Sequence, residues 1–193
     1  MERKVIVVNQ QGQEIGSESL LKAHTAGTLH RSFGVFIINS QNHMLLQKRN
    51  INKMHSGGLW CNTCSSHPNP GEKTLDAAHR RLMEEMDIDC PLQEAFTFIY
   101  QVNFEKNHIC EHEFGHVFIG FCDTVPHPNP EEVDAYRWMS LDRISRDIVD
   151  NPSHYAYWFK RAFDSVILFI KECQKEHFST ERTLQPSVKE LTH

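Results

Sequence analysis

At 193 residues the chain has the length of one domain with room for a full core, and 39% hydrophobic against 23% charged residues is the balance of an ordinary soluble protein. A net charge of −5 excludes a general nucleic-acid surface and leaves only a local basic pocket open to an anion. No apolar run is long enough to span a bilayer, the start MERKVIVVNQ lacks a signal-peptide core, and six irregularly spaced cysteines read as reduced thiols, so a cytoplasmic protein is expected.

In chain order, the β-branched run Lys4–Asn9 and the turn signal Gln10–Gly12 predict a first strand and hairpin. Leu20–His30 follows, with Gly27 breaking any continuous helix. Ser32–Asn39 is an apolar strand, Ser40–Asn42 its turn and Met44–Arg49 the returning partner. Asn50–Ser56 is a polar loop carrying Lys53. It leads into Gly57–Met86, which crowds Cys61, Asn62, Cys64, Ser65, Ser66 and His67 between a glycine pair and Pro68 and Pro70. Glycine relaxes φ and proline fixes it, so this is a shaped loop. After Gly71 an amphipathic helix begins. At about 100° per residue Leu75, Ala78, Leu82 and Met86 form its apolar stripe. Arg80 and Glu84 make an i,i+4 pair on the solvated side. Arg81 and Glu85 lie on the flank, where solvating the helix and reaching a metal or phosphate beside the loop are equally open readings.

Beyond a break at Asp87–Pro91, Ala95–Phe104 and Glu111–Cys122 are two strands joined by a polar turn around Glu105–His108. Val125–Pro130 is a Pro-rich loop, Ala135–Met139 a short strand and Leu141–Val149 a helix. Tyr155–Glu176 is a long helix with Trp158, Ala162, Phe163, Val166, Phe169 and Ile170 facing inward. Strands and helices intermix without regular βα alternation, which predicts a mixed α/β fold rather than a doubly wound sheet. One domain is expected over residues 1–178, with a flexible tail over residues 179–193.

Glu111 and Glu113, two apart on a strand, share a face that continues through Gly115, Val117, Ile119 and Phe121. Two unpaired carboxylates opening an apolar face are costly unless a cation neutralises them, the alternative being an exposed strand end. His24, His30 and His67 fit no single helix face and would meet these carboxylates only through tertiary structure. Three imidazoles with two carboxylates suit Zn2+, Mn2+ or a similar divalent ion. Cys61, Cys64 and His67 have the spacing of a structural zinc site but lack a fourth ligand. Arg49, Lys53 and Arg81 together would bind an anion such as a diphosphate, while each taken singly is a solvated charge.

The pattern Ser66-x5-Glu72-x7-Arg80-Arg81-Leu82-x-Glu84-Glu85-x-Asp87-Ile88 resembles a degenerate Nudix box, with Ser66, Arg81 and Asp87 where the usual form has Gly, Glu and Gly. Together with LHRSFGVFIIN, LLQKRN, NTCSSHP, CEHEF and YWFK, in order between about Lys4 and Phe169, the chain resembles the type I isopentenyl diphosphate isomerases. The resemblance implies a Nudix-like mixed sheet sandwiched between helices, with a long C-terminal helix. It implies an isoprenoid-biosynthesis isomerase that interconverts isopentenyl and dimethylallyl diphosphate by moving a proton across three carbons. His24, His30, His67, Glu111 and Glu113 would hold one Mn2+ or Zn2+, and Glu85 a Mg2+ bridging the substrate. Arg49, Lys53, Arg81 and Lys22 would bind the diphosphate, although Lys22 is spaced from His24 differently than in the family.

By the same resemblance Tyr100 would assist protonation, and Trp158 would lie beside a developing carbocation. Trp60, Tyr100, Phe104 and Trp158 would line the pocket. The implied partner is a small isoprenoid diphosphate, without nucleic acid or membrane, and the implied state is a monomer or weak dimer. One departure bears on activity: Ser65 stands two residues before the third metal histidine, where the family has its catalytic cysteine, and Cys64 is adjacent. A serine hydroxyl is a far poorer proton acceptor than a thiolate near neutral pH. Glu113 would act on one face of the allyl unit and the Ser65/Cys64 edge on the other. Cys64 taking over, Ser65 working slowly, a Nudix-type diphosphate hydrolase and a catalytically silent metal-binding homologue remain open.

Overall fold

The computed structural model describes residues 2–105 and 108–183, with side chains as far as Lys175. Strands β1 (Lys4–Val8) and β2 (Glu14–Ser19) form the predicted antiparallel hairpin. In its turn the Asn9 side-chain oxygen accepts from the Gln11 and Gln13 amides, and Gly12 takes a φ of 75°. Ser19 caps α1 (Leu20–Ala26) by accepting from the Lys22 amide, and Gly27 ends the helix in the left-handed region at φ 64°. The glycine thus stops the helix after seven residues, which keeps His24 in its last turn.

The sheet is organised around β3 (His30–Ile38), which runs parallel to β8 (Ile109–Phe121) and antiparallel to β1. β3 meets its hairpin partner β4 (His43–Arg49) only at Ile38 and Met44. Beyond that point β3 pairs with β6 (Cys64–Ser66), while β4 pairs with β5 (Trp60–Cys61) and with β9 (Val133–Ser140). The sheet therefore opens between β3 and β4, and the polar Gly57–His67 stretch fills the opening. β7 (Leu92–Phe104) closes the far side against β8.

Helices cover both faces, as the resemblance implies. Along β3, Phe36 and Ile38 pack toward α4 (Tyr157–Thr183) with Phe159, Phe163, Val166 and Ile170. Val35 and Ile37 face the other way, toward α2 (Thr74–Met86) with Ala77, Ala78, Leu82 and Met86. α3 (Leu141–Asp150) follows β9. The α2 stripe differs from expectation: Leu75 is exposed, and Ala77, Ala78, Leu82, Glu85 and Met86 face inward. The helix is rotated so that Glu85 lies on the buried face itself. Helix α4 continues through Thr183, past the expected start of the tail at residue 179. The rest of that tail, and Lys106 and Asn107 of the expected β7–β8 turn, lie outside the described residues. Cys61, Cys64, Cys90, Cys110 and Cys122 are free thiols. Among the described residues no helix is long and apolar enough to cross a membrane.

Candidate metal and diphosphate site

Strand register builds one end of the site. His30 lies opposite Glu113 across the parallel β3–β8 pair, and Tyr100 lies opposite Glu113 across the antiparallel β7–β8 pair. The three side chains therefore share one row across three neighbouring strands, and Glu111 sits two residues along the same face. His24 enters from α1 and His67 from just past β6. Ligand atoms of His24, His30, His67 and Glu113 all lie within 4.8 Å of one another. His67 Nε2 is 3.0 Å from Glu113 Oε1 and 3.2 Å from His30 Nε2. His30 Nδ1 donates to the Thr28 carbonyl at 2.8 Å, which leaves its Nε2 lone pair aimed into the cluster.

Both His24 ring nitrogens and His67 Nδ1 are buried without a protein partner. Burial, followed by the His67 and His30 charges, lowers the His24 pKa to about 3, and burial with His67 lowers that of His30. Imidazole nitrogens buried without a protein partner beside a carboxylate are what a divalent cation requires of its ligands. Burial pushes the Glu113 carboxyl up, but its contact with His67 and the His67 and His30 charges outweigh this and hold it below the usual carboxylate range. The Tyr100 hydroxyl donates to Glu113 Oε2 at 2.7 Å and lies 3.4 Å from Glu111 Oε2. Burial and these two carboxylates keep the phenol protonated, its pKa well above the usual value.

The other end of the same pocket carries cations. Arg49, Lys53, Arg81 and Arg3 line it together with Glu85 and Glu132, around a cavity of about 200 Å³. Arg81 spans Glu85 at 2.6 Å and Glu132 at 3.1 Å, and Lys53 pairs with Glu132. Gln47 Nε2 donates to the second Glu85 oxygen at 3.0 Å. Arg3 turns its guanidinium inward to donate to Ser66 Oγ at 2.7 Å. Four cations thus face two carboxylates, an arrangement suited to a multiply charged anion. The Arg49 guanidinium lies 5.0 Å from the centroid of the Trp158 ring, so this indole joins the charged end to the apolar wall.

Comparison with known proteins gives the family. Residues 28–161 match the family described as the NUDIX domain. Isopentenyl-diphosphate Delta-isomerase 1 of Aromatoleum aromaticum is 45% identical over 89% of this chain and 97% of its own. Isopentenyl-diphosphate Delta-isomerase 2 of the same organism is 44% identical over 86% and 88%, and the isomerase of Pectobacterium atrosepticum 45% over 83% and 89%. The chain belongs to the isopentenyl-diphosphate Delta-isomerase family. The fold is also that of DR0079 from Deinococcus radiodurans, with a TM-score of 0.64 at 16% identity over 77% of this chain and 90% of that one.

Within this isomerase family member the Ser65/Cys64 edge resolves into two different environments. Ser65 and Ser66 line the pocket while Cys64 does not. Ser65 Oγ donates to Asn62 Oδ1 at 3.0 Å, and the same oxygen accepts from Trp158 Nε1 at 3.1 Å. Asn62 is anchored in turn through Nδ2 to the carbonyls of Val35 and Cys64. Cys64 is fully buried in the α2-side core with Leu82 and Met86. Burial and the Glu85 charge hold its thiol well above the ordinary value. The alternative in which Cys64 takes over is disfavoured by this geometry: its thiol lies in the α2-side core and not at the pocket lining.

Other expectations also change. Lys22 does not reach the pocket, because its exposed side chain pairs with Glu18 near the end of β2. Cys61 and Cys64 do not converge with His67, since they pack into different core clusters. Trp60 stacks on Arg137 at 4.0 Å, and Phe104 stacks on His55 at 5.0 Å, so neither forms the pocket wall itself. Phe98, Tyr100 and Trp158 do. Glu111 lines the pocket but stands outside the tight donor set, its Oε1 held by His55 Nε2 at 2.9 Å. His55, Arg3, Gln47, Asn62 and Glu132 were not singled out as site residues by sequence reasoning. Asn62 stood in the shaped loop, whereas Arg3 and Glu132 carry no local signal at all.

Proposed function

We propose that this chain interconverts isopentenyl and dimethylallyl diphosphate in isoprenoid biosynthesis. The observation that carries the reading is one pocket with a His/Glu donor cluster at one end and an Arg/Lys cluster at the other, in a member of the isomerase family. Arg49, Lys53 and Arg81 bind the diphosphate oxygens, joined by Arg3 at the rim. Their grip fixes the five-carbon chain against Trp158 and Phe98, toward Glu113 and Ser65. When bound, one Mn2+ or Zn2+ on His24, His30, His67, Glu111 and Glu113, and one Mg2+ on Glu85, supply charge neutralisation for the buried carboxylates and the diphosphate.

The reaction adds one proton to the terminal methylene carbon and removes another from the carbon two positions away, so the double bond shifts and no atom is lost. Glu113, with the Tyr100 hydroxyl on its Oε2, gives or takes the proton on one face of the allyl unit. Ser65 faces the other side, its hydroxyl oriented by Asn62. The positive charge that develops at the branched carbon must be kept from water, and the aromatic walls serve that purpose. The hydrolase alternative is disfavoured because Arg81 stands on the Nudix-box helix where that chemistry wants a further carboxylate.

The test is incubation of the purified chain with isopentenyl diphosphate, Mg2+ and Mn2+, followed by proton and phosphorus NMR. Dimethylallyl diphosphate without released phosphate is the expected product. Orthophosphate instead would assign a hydrolase, and metal uptake with neither product a silent binder.

A further inference from the structure

The donor cluster leaves Glu111 to a partner that belongs to no Nudix-box position. Glu111 is buried, and its Oε1 lies 2.9 Å from His55 Nε2. The His55 side chain is itself only 9% exposed. Its ring stacks on Phe104 at 5.0 Å and 25° and meets the Trp158 ring edge-on at 5.9 Å and 84°. Its Nδ1 is 3.5 Å from Ser56 Oγ. A hydroxyl donating to Nδ1 leaves the proton on Nε2, where it points at the carboxylate.

The loop that delivers His55 is locked. Arg49 N–H donates to the Leu59 carbonyl and Gly58 N–H to the Arg49 carbonyl, both at 2.9 Å, closing it at the base. Ser56 holds a positive φ of 53°, a strained choice for a residue with a side chain. At Gly57 an added Cβ would lie 2.4 Å from the Ile51 carbonyl oxygen, so only glycine lets the chain pass there. The same loop presents Lys53 to the cation end, so one rigid segment serves both ends of the pocket.

We propose that His55 is a positioning residue that holds Glu111 in the orientation needed to complete the divalent-ion site. The inference rests on the metal reading of the His/Glu cluster, and goes beyond it by assigning a residue outside the ligand set. Groups one step behind a metal ligand fix its rotamer, and their loss typically weakens metal binding about 10–100-fold.

The experiment is Mn2+ titration of the metal-free protein by calorimetry, for wild type, His55→Phe and His55→Gln. Phenylalanine keeps the stack on Phe104 and loses the donor; glutamine restores an N–H donor. We expect Kd for Mn2+ to rise about 10–100-fold in His55→Phe and to recover most of that in His55→Gln, with the metal-free Tm of both near wild type. An unchanged Kd in His55→Phe overturns the proposal. So does an equal loss of affinity in both variants accompanied by a lowered metal-free Tm, which would mark His55 as a packing residue, and so does a wild type that takes up no Mn2+. The readout contains no turnover, so a chain that binds Mn2+ as expected yet fails to isomerise substrate sinks the proposed function and leaves this inference standing.

Discussion

Replacing Ser65 with cysteine puts the proposed chemistry to its sharpest test. Ser65 lines the pocket, and its hydroxyl is committed to Asn62 Oδ1 at 3.0 Å. The facing position on β3 is Gly34, where even an added Cβ would lie 3.8 Å from Ser65 Oγ, so a larger sulfur enters without a clash. Asn62 Oδ1 keeps its bond from Trp158 Nε1 in the variant, and the metal-free Tm should hold. What changes is acidity: a thiol has an ordinary pKa of about 8.5, and a hydroxyl is not ionised at neutral pH. A positioned general acid or base is worth roughly 10²–10⁴ in rate, or about 3–5 kcal/mol in the barrier. Ser65→Cys should therefore raise kcat for isopentenyl diphosphate by that factor, read by NMR, with KM nearly constant. Iodoacetamide should inactivate the variant and spare the wild type. Cys64→Ala should leave kcat within a few-fold, because its thiol lies in the α2-side core. If Ser65→Cys turns over no faster than wild type, with metal bound and substrate affinity normal, the assignment of this edge to proton transfer is refuted.

At the cation end, Arg49→Ala should raise KM roughly ten- to a hundred-fold, the loss expected for a charge-assisted contact, while Lys22→Ala leaves KM unchanged. Equal effects from the two variants would misplace the diphosphate. His24 sets a pH dependence: its folded pKa is lowered to about 3, so between there and the unfolded value near 6.5 the unfolded chain binds the extra proton. The stability of the metal-free protein should fall as pH drops through that window, and His24→Asn should flatten the slope of Tm against pH. Chelation should lower Tm, and Mn2+ at a hundred times its Kd should restore about 2.7 kcal/mol, measured by calorimetric melting. A melting curve indifferent to both would argue against a resident ion.

What the chain dictates by itself is what repeats locally. The apolar alternation of β3, the 3.6-residue stripe of α4 and the glycine stop at Gly27 are all legible, because each depends on neighbours within a few residues. That Glu111 and Glu113 share a face follows from the two-residue period of a strand, and the motif order is sufficient to point to the family. The resemblance also gathers His24, His30 and His67, but only the parallel register of β3 on β8 and the antiparallel register of β7 on β8 explain how His30 meets Glu113 and Tyr100, with His24 brought in by α1 and His67 by the chain after β6. Which of Cys64 and Ser65 lines the pocket was not readable, since nothing in the local sequence says on which side of β6 the pocket lies. The pairing of β6 with β3 decides it. Arg3, His55, Asn62 and Glu132 arrive from four separate segments, and no spacing within the sequence links them. Secondary structure is written in short-range periodicity, whereas this site is a product of strand register and loop closure, which bring together side chains far apart along the chain.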